Sequence, residues 1–167
     1  LIQFNKGGVN ISFNINIKVD EELKKLIANS SKIENSLKQA SIGLNKELTA
    51  RTYAIVKKRT PVGIYNPIMV NGKVYNGGRV GGTLRSSWQM STTQTSKSIT
   101  SKIYNNTEYA EYVEYGHRQQ VGRFVPQIGA KLKQPFVKGS YMLSKSLIEI
   151  KPQVDTIIQK YLDRIKI

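Results

Sequence analysis

The chain has 167 residues, which bounds it to one domain, or one domain with an arm, because single cores usually serve about 100 to 200 residues. Hydrophobic residues make up 39%, below the roughly 45 to 50% usual for soluble domains counted with Gly, so a partner is expected to complete some of the apolar surface. There is no cysteine, which removes disulfide frameworks, thiolate zinc sites and cysteine nucleophiles together. The longest apolar run, at 53–56, falls far short of the roughly 20 residues that cross a bilayer, so no membrane role is expected. The chain opens at Leu1 rather than Met, read as a short leader removed or not counted.

Lys and Arg number 26 against 11 Asp and Glu, a net charge of +15. That charge points to nucleic acid, an acidic membrane or an acidic protein surface. Its distribution matters more than its size. Residues 48–107 hold no carboxylate, and neither do residues 115–148, so a basic surface matched to an acidic one is expected.

Residues 10–19 alternate strictly, with Ile11, Phe13, Ile15, Ile17 and Val19 on one side, the mark of a half-buried strand. Asp20 then stands as an N-cap with Glu21 and Glu22 in the first helical turn. Apolar residues recur at threes and fours to Lys58, predicting a helix of about 55 Å with weak points at Asn29, Ser30, Ser31 and Gly43. Asn71-Gly72 between two short apolar runs predicts a tight hairpin, and residues 76–82, with four glycines, predict a loop. Residues 84–94 and 97–104 read as two antiparallel strands turning near Thr95. Residues 107–115 read as a short helix capped by Thr107 and closed by Gly116. Residues 118–134 show no period and are expected to be a loop. The spacing of Leu143, Leu147, Ile150, Val154, Ile157, Tyr161 and Ile165 predicts one helical stripe, kinked or joined at Pro152. The fold class expected is α+β, with a long N-terminal helix and a kinked C-terminal helix packed on an antiparallel sheet, in one domain carrying a hairpin insertion at about 64–82.

The chemical inventory is poor: one histidine and eleven dispersed carboxylates. His117 has no second His or Cys beside it to hold a metal, and no catalytic, cofactor or metal site is expected. The GGRVGGT at 77–83 lacks the Lys and the following helix of a phosphate loop. Glu108, Glu111 and Glu114 recur every third residue beside Tyr109, Tyr112 and Tyr115, so on a helix they would form an acidic ridge next to a tyrosine row. Such a surface suits head-to-tail contacts that close into a ring. The interface residues expected are Arg79, Arg85, Trp88, Glu108, Tyr109, Glu111, Tyr112, Glu114, Tyr115, His117 and Arg118. The rival is a basic nucleic-acid-binding protein. Against it, the aromatics cluster with glutamates rather than with Lys and Arg.

Four phrases occur in order: RTPVG at 59–63, GGTLRSSW at 81–88, YAEYVEYGH at 109–117 and QPFVKGSYMLSKS at 134–146. Together they resemble the tail-completion and head-to-tail joining (neck) family of tailed bacteriophages. Members usually run from the Pro-Val turn almost directly into the Gly-Leu-Arg phrase, whereas residues 64–80 intervene here. The resemblance implies a small α+β structural protein without enzymatic activity, acting in virion assembly at the tail and neck in the host cytoplasm. Its implied partners are copies of itself in a ring (hexamer or dodecamer), the adjacent connector, tail-terminator or tail-tube proteins, and DNA in the channel.

Overall fold

A computed structural model describes residues 2–5, 8–14, 31–75, 80–95, 98–126 and 129–165. Strands β1 (Ile2–Asn5) and β2 (Gly8–Asn14) pair antiparallel. The expected strand at 10–19 is present over 10–14 within β2, its remainder lying outside the described residues, and it is preceded by a strand that its alternation did not announce. Residues 15–30, including the expected helix start at Asp20, lie outside the described residues. Helix α1 runs over Ser31–Arg59, roughly 43 Å at 1.5 Å per residue. It passes through Gly43 unbroken. A Cβ there would press into the Tyr161 ring, so Gly43 admits a side chain from the C-terminal helix instead of bending α1.

The Asn-Gly hairpin is present as β3 (Ile68–Val70) and β4 (Lys73–Tyr75). Asn71 and Gly72 both take positive φ, 49° and 75°, as a two-residue turn matched to strand twist demands. One helical turn, α2 (Thr83–Ser86), replaces the start of the strand expected from 84. Leu84 is buried, its carbonyl accepts a hydrogen bond from Asn105 Nδ2 at 2.7 Å, and the strand begins only at Trp88. Strands β5 (Trp88–Gln94) and β6 (Ile99–Asn105) follow. Their turn is tied by Thr95 N to Ser98 O at 2.8 Å and by Ser98 N to Thr95 Oγ1 at 3.0 Å.

The main sheet is antiparallel throughout in the order β1-β2-β6-β5. Helix α3 (Ala110–Tyr115) begins three residues later than expected. Thr107 does not cap it, because its N–H and hydroxyl both donate to Asn105 Oδ1, at 3.1 and 2.8 Å. The stretch 118–134, expected to be a loop, begins at the end of β7 (Gly116–Arg118) and holds a small hairpin, β8 (Phe124–Val125) with β9 (Ala130–Lys131). Beyond it, β10 (Phe136–Lys138) pairs with β7. These strands of two or three residues are too short to carry a visible period.

The C-terminal stripe is a two-helix join, as expected: α4 (Met142–Ile150), a 3₁₀ turn at Lys151–Gln153 containing Pro152, and α5 (Val154–Leu162). The proline falls where its missing N–H costs least, at the start of a new turn. Two apolar clusters hold these layers. Val56, Leu84, Trp88, Ile103, Ala110, Met142 and Leu143 join α1 to the sheet, α3 and α4. Leu44, Leu48, Ile150 and Ile157 join α1 to α4 and α5. The buried side of α1 also carries Thr49 and Thr52, whose hydroxyls donate to carbonyls one turn back at 2.7 and 2.8 Å, so they enter the core without an unmet polar group. Among the described residues no helix is long and apolar enough to cross a membrane.

Candidate functional site

The first two motif phrases meet in space. Helix α1 ends at Arg59, and the next carbonyl, that of Thr60, would be left without a helical partner. Arg85 fills that role, donating from Nε at 3.0 Å and from Nη2 at 2.6 Å. The Thr60 hydroxyl donates to Val56 O at 2.7 Å and accepts from Trp88 Nε1 at 2.8 Å. Tyr53 closes the circuit by donating to the Trp88 carbonyl at 3.0 Å. Trp88 is only 2% exposed, so the structure places it in the chain's own core, and Arg85 clamps a helix end.

The third and fourth phrases meet in the same way. Helix α4 has no side-chain cap of its own; Tyr141 at its N-cap takes a left-handed φ of 52°, a conformation that costs a bulky residue strain. Glu114 caps the helix from α3: its carboxylate accepts from Leu143 N and Ser144 N, each at 3.0 Å, and from Ser144 Oγ at 2.7 Å. The backbone joins in, with Tyr141 N donating to Glu114 O and Ser140 N to Val113 O. A carboxylate at a helix N-terminus meets both the free N–H groups and the positive end of the dipole.

Glu114 is 1% exposed, which corrects the expected ridge of three solvent-facing glutamates. Glu108 precedes α3 in a turn and Glu111 lies on the helix, both exposed, while Glu114 points inward. The three-residue spacing misled because the helix starts at Ala110, so Glu108 is not on it. Tyr109 and Tyr112 are exposed. Tyr115 is half-buried and meets the Tyr141 ring edge-on; burial, then the charges of Glu114 and Glu111, push its hydroxyl above the usual tyrosine range. His117 lies on β7, edge-on to Tyr112 at 5.7 Å between centroids, with Nε2 at 3.4 Å from Gln119 Nε2. Its Nδ1 is buried with no hydrogen-bond partner. Arg118 is exposed on β7, and Arg79 lies outside the described residues. The solvent-facing group actually assembled is therefore Glu108, Tyr109, Glu111 and Tyr112.

Sequence reasoning missed Thr60, Asn105 and Glu47 as organising residues. Glu47 accepts from Arg51 one turn on, at 2.8 Å, and from Lys160 on α5, also at 2.8 Å. Hydrogen bonds from Lys160, then Arg51, with a smaller one from Tyr161, hold its carboxyl down at about 2 against partial desolvation. The Glu47–Arg51 spacing was visible as an i,i+4 pair; Lys160, 113 residues away, was not. Among the described residues no His, Cys, Asp or Glu cluster suits a metal ion.

Comparison with known families supplies the setting. The HK97-gp10-like family, described as "Bacteriophage HK97-gp10, putative tail-component", matches residues 21–116, more than half of the chain. The chain belongs to this family. It is a bacteriophage tail component, and its place is in the virion with other tail proteins. The match takes in the Thr60 clamp whole and ends just after Glu114, whose partners on α4 lie beyond it. Neither a curated protein nor a solved structure matches the chain.

Proposed function

We propose that this tail component is a structural neck protein that completes the tail at the head-to-tail junction, assembling there as a ring and catalysing nothing. Family membership and the four motif phrases support the setting. The observation that carries the assembly reading is the exposed face formed by Glu108 and Tyr109 in the turn before α3 and by Glu111 and Tyr112 on that helix, which Glu114 pins to the body. Tyrosine gives contact area at little entropic cost, and a rigid mount lowers the cost of docking further. The natural counter-surface is the acid-free basic side of the next copy or of the connector, tail-terminator or tail-tube ring beside it. A basic inner surface would also tolerate DNA passing through the channel.

Two experiments test this. In phage whose copy of this gene is interrupted, electron microscopy should show filled heads and tails accumulating unjoined; joined, infectious particles would remove the neck assignment. The double reversal Glu108→Lys, Glu111→Lys should leave the circular dichroism spectrum unchanged and block incorporation into virions. Normal incorporation would make that face merely solvated.

A further inference from the structure

The excursion between the two halves of the Thr60 clamp has no role in the clamp itself. It leaves the body at Gly63 and returns at Gly81, and these two residues pack backbone to backbone: a Cβ on Gly81 would collide with the Gly63 carbonyl oxygen. The loop is thus closed at its base. Beyond that base, Ile64 is 85% exposed, Met69 74% and Val74 59%. Strands β3 and β4 pair with each other in a sheet of two, and an isolated two-stranded hairpin is marginal in water. Ordered apolar side chains on a ribbon of two strands are a surface waiting for a third.

A matching edge lies elsewhere on the same molecule. Among the described residues β5 is the last strand of the main sheet, and past Trp88 every one of its residues is exposed. Edge strands are usually guarded by charge, proline or a bulge; β5, WQMSTTQ, carries no charge and no proline. On the α1 side of the sheet Met90 pairs with Ile103, and whereas Ile103 is fully buried, Met90 is 51% exposed. The helix covers β6 and the Trp88 end of β5 and leaves the rest of the outer strand exposed, with Met90 as the apolar side chain beside its backbone.

Charge selects the occupant. Each copy carries +15, so two copies meet at short range only where their surfaces are neutral or opposite. Residues 60–72 and 86–96 are long stretches without a charged side chain in a chain with 26 basic ones; they hold β3 with its turn and the β5 edge, and Lys73 is the one charged side chain on β4. We propose that the β3–β4 hairpin of one copy adds to the free edge of β5 on a second copy, extending the main sheet across the subunit boundary. Main-chain hydrogen bonds supply the attachment, and Met90 with the hairpin's Met69 and Val74 supplies the apolar contact. The two surfaces differ, so the contact is head-to-tail and closes into a ring or runs on as a filament. This contact rests on the ring proposed above and gives it a geometry.

The test uses the purified full chain in two variants: one lacking residues 66–78, the other carrying Met90→Lys and Gln94→Lys on the exposed edge. Should the deletion fail to fold by circular dichroism, Met69→Lys with Val74→Lys, both at exposed positions, replaces it. By analytical ultracentrifugation the unaltered chain should associate, and each variant alone should weaken association at least about tenfold. Mixing the two should restore one contact and stop at heterodimers, since each supplies the surface the other lacks. Overturning results are an unaltered chain that stays monomeric at about millimolar concentration, variants that associate normally, or a mixture that gains nothing. The Glu108→Lys, Glu111→Lys protein separates the two ideas. If it alone loses association while both strand variants keep it, the strand contact is wrong and the ring stands. If phage lacking the gene still join heads to tails, the neck assignment falls, whatever the ultracentrifuge shows.

Discussion

The Thr60 and Glu114 clasps and the β3–β4 hairpin lie on either side of one divide. In the clasps, side chains with the most chemistry to offer, Trp88, Arg85 and Glu114, spend it on the chain itself: an indole N–H on a hydroxyl, a guanidinium on a carbonyl, a carboxylate on a helix N-terminus. In the hairpin and the segment leading to it, side chains with little polar chemistry, Ile64, Met69 and Val74, stand in solvent. A motif rich in Trp, Arg and Glu therefore marks where this chain holds itself together, and a plain apolar ribbon marks where it has something left over. Burying polar groups with partners specifies a unique packing; exposing apolar groups without them does so only when another surface arrives.

The sharpest break of that contrast is at Trp88. Trp88→Ala removes a fully packed indole and unseats the Thr60 hydroxyl, and should cost about 3 to 5 kcal/mol in urea denaturation. Met90→Lys, two residues on along the same strand face, should cost less than about 0.5 kcal/mol because that site is half open. Equal effects would mean that β5 is covered along its whole length. Next in size is Glu114→Gln, which keeps the shape but loses the charge that three donors share; about 1.5 to 3 kcal/mol is expected. Glu111→Gln, one turn earlier and exposed, should be neutral within about 0.5 kcal/mol. Should the two glutamates behave alike, Glu114 does not cap α4 in solution.

Much of this architecture could be read from spacing. The α1 and α4–α5 stripes, the Asn71-Gly72 turn and the β5–β6 pair each repeat over enough residues, or use distinctive enough turn chemistry, to stand out. What could not be read are contacts closed by partners far apart in sequence. Glu114 sits in a three-residue series with Glu108 and Glu111, and nothing in that spacing announces that its carboxylate turns inward to the backbone N–H groups of Leu143 and Ser144 on α4. The strands of β7 to β10 are too short for periodicity, and Thr60 looked like a plain residue before a proline. The interface residues named from sequence were a mixture, and burial divides them: Trp88 and Glu114 inward, Tyr109, Glu111 and Tyr112 outward.

A smaller effect tests how α5 is held on α1. Glu47 has a carboxyl held at about 2, below its ordinary 4.5, by Lys160 and Arg51. A carboxylate whose folded value is depressed adds stability above its unfolded value and loses it as pH falls through the folded one. Stability should therefore decline from about pH 5 toward pH 2, and Glu47→Gln should flatten that part of the curve. Thermal melts of the two proteins across this range check it; parallel curves would mean that Lys160 and Arg51 leave Glu47 to solvent.

The smallest effect expected on stability is the most informative about the divide itself. Removing residues 66–78 takes away an Asn-Gly turn, both hairpin strands and the exposed Met69 and Val74, yet touches no member of either apolar cluster. Because Gly63 and Gly81 already lie against each other, the shortened loop can close without moving Thr60 or Arg85. Shortening a loop also lowers its closure entropy by a few tenths of a kcal/mol. The deletion should therefore change unfolding free energy by no more than about 0.5 kcal/mol, in either direction, while leaving Trp88 fluorescence as it was. A loss of several kcal/mol would show that the hairpin packs on its own body, and with that the difference between the self-sufficient clasps and the outward-facing ribbon would disappear.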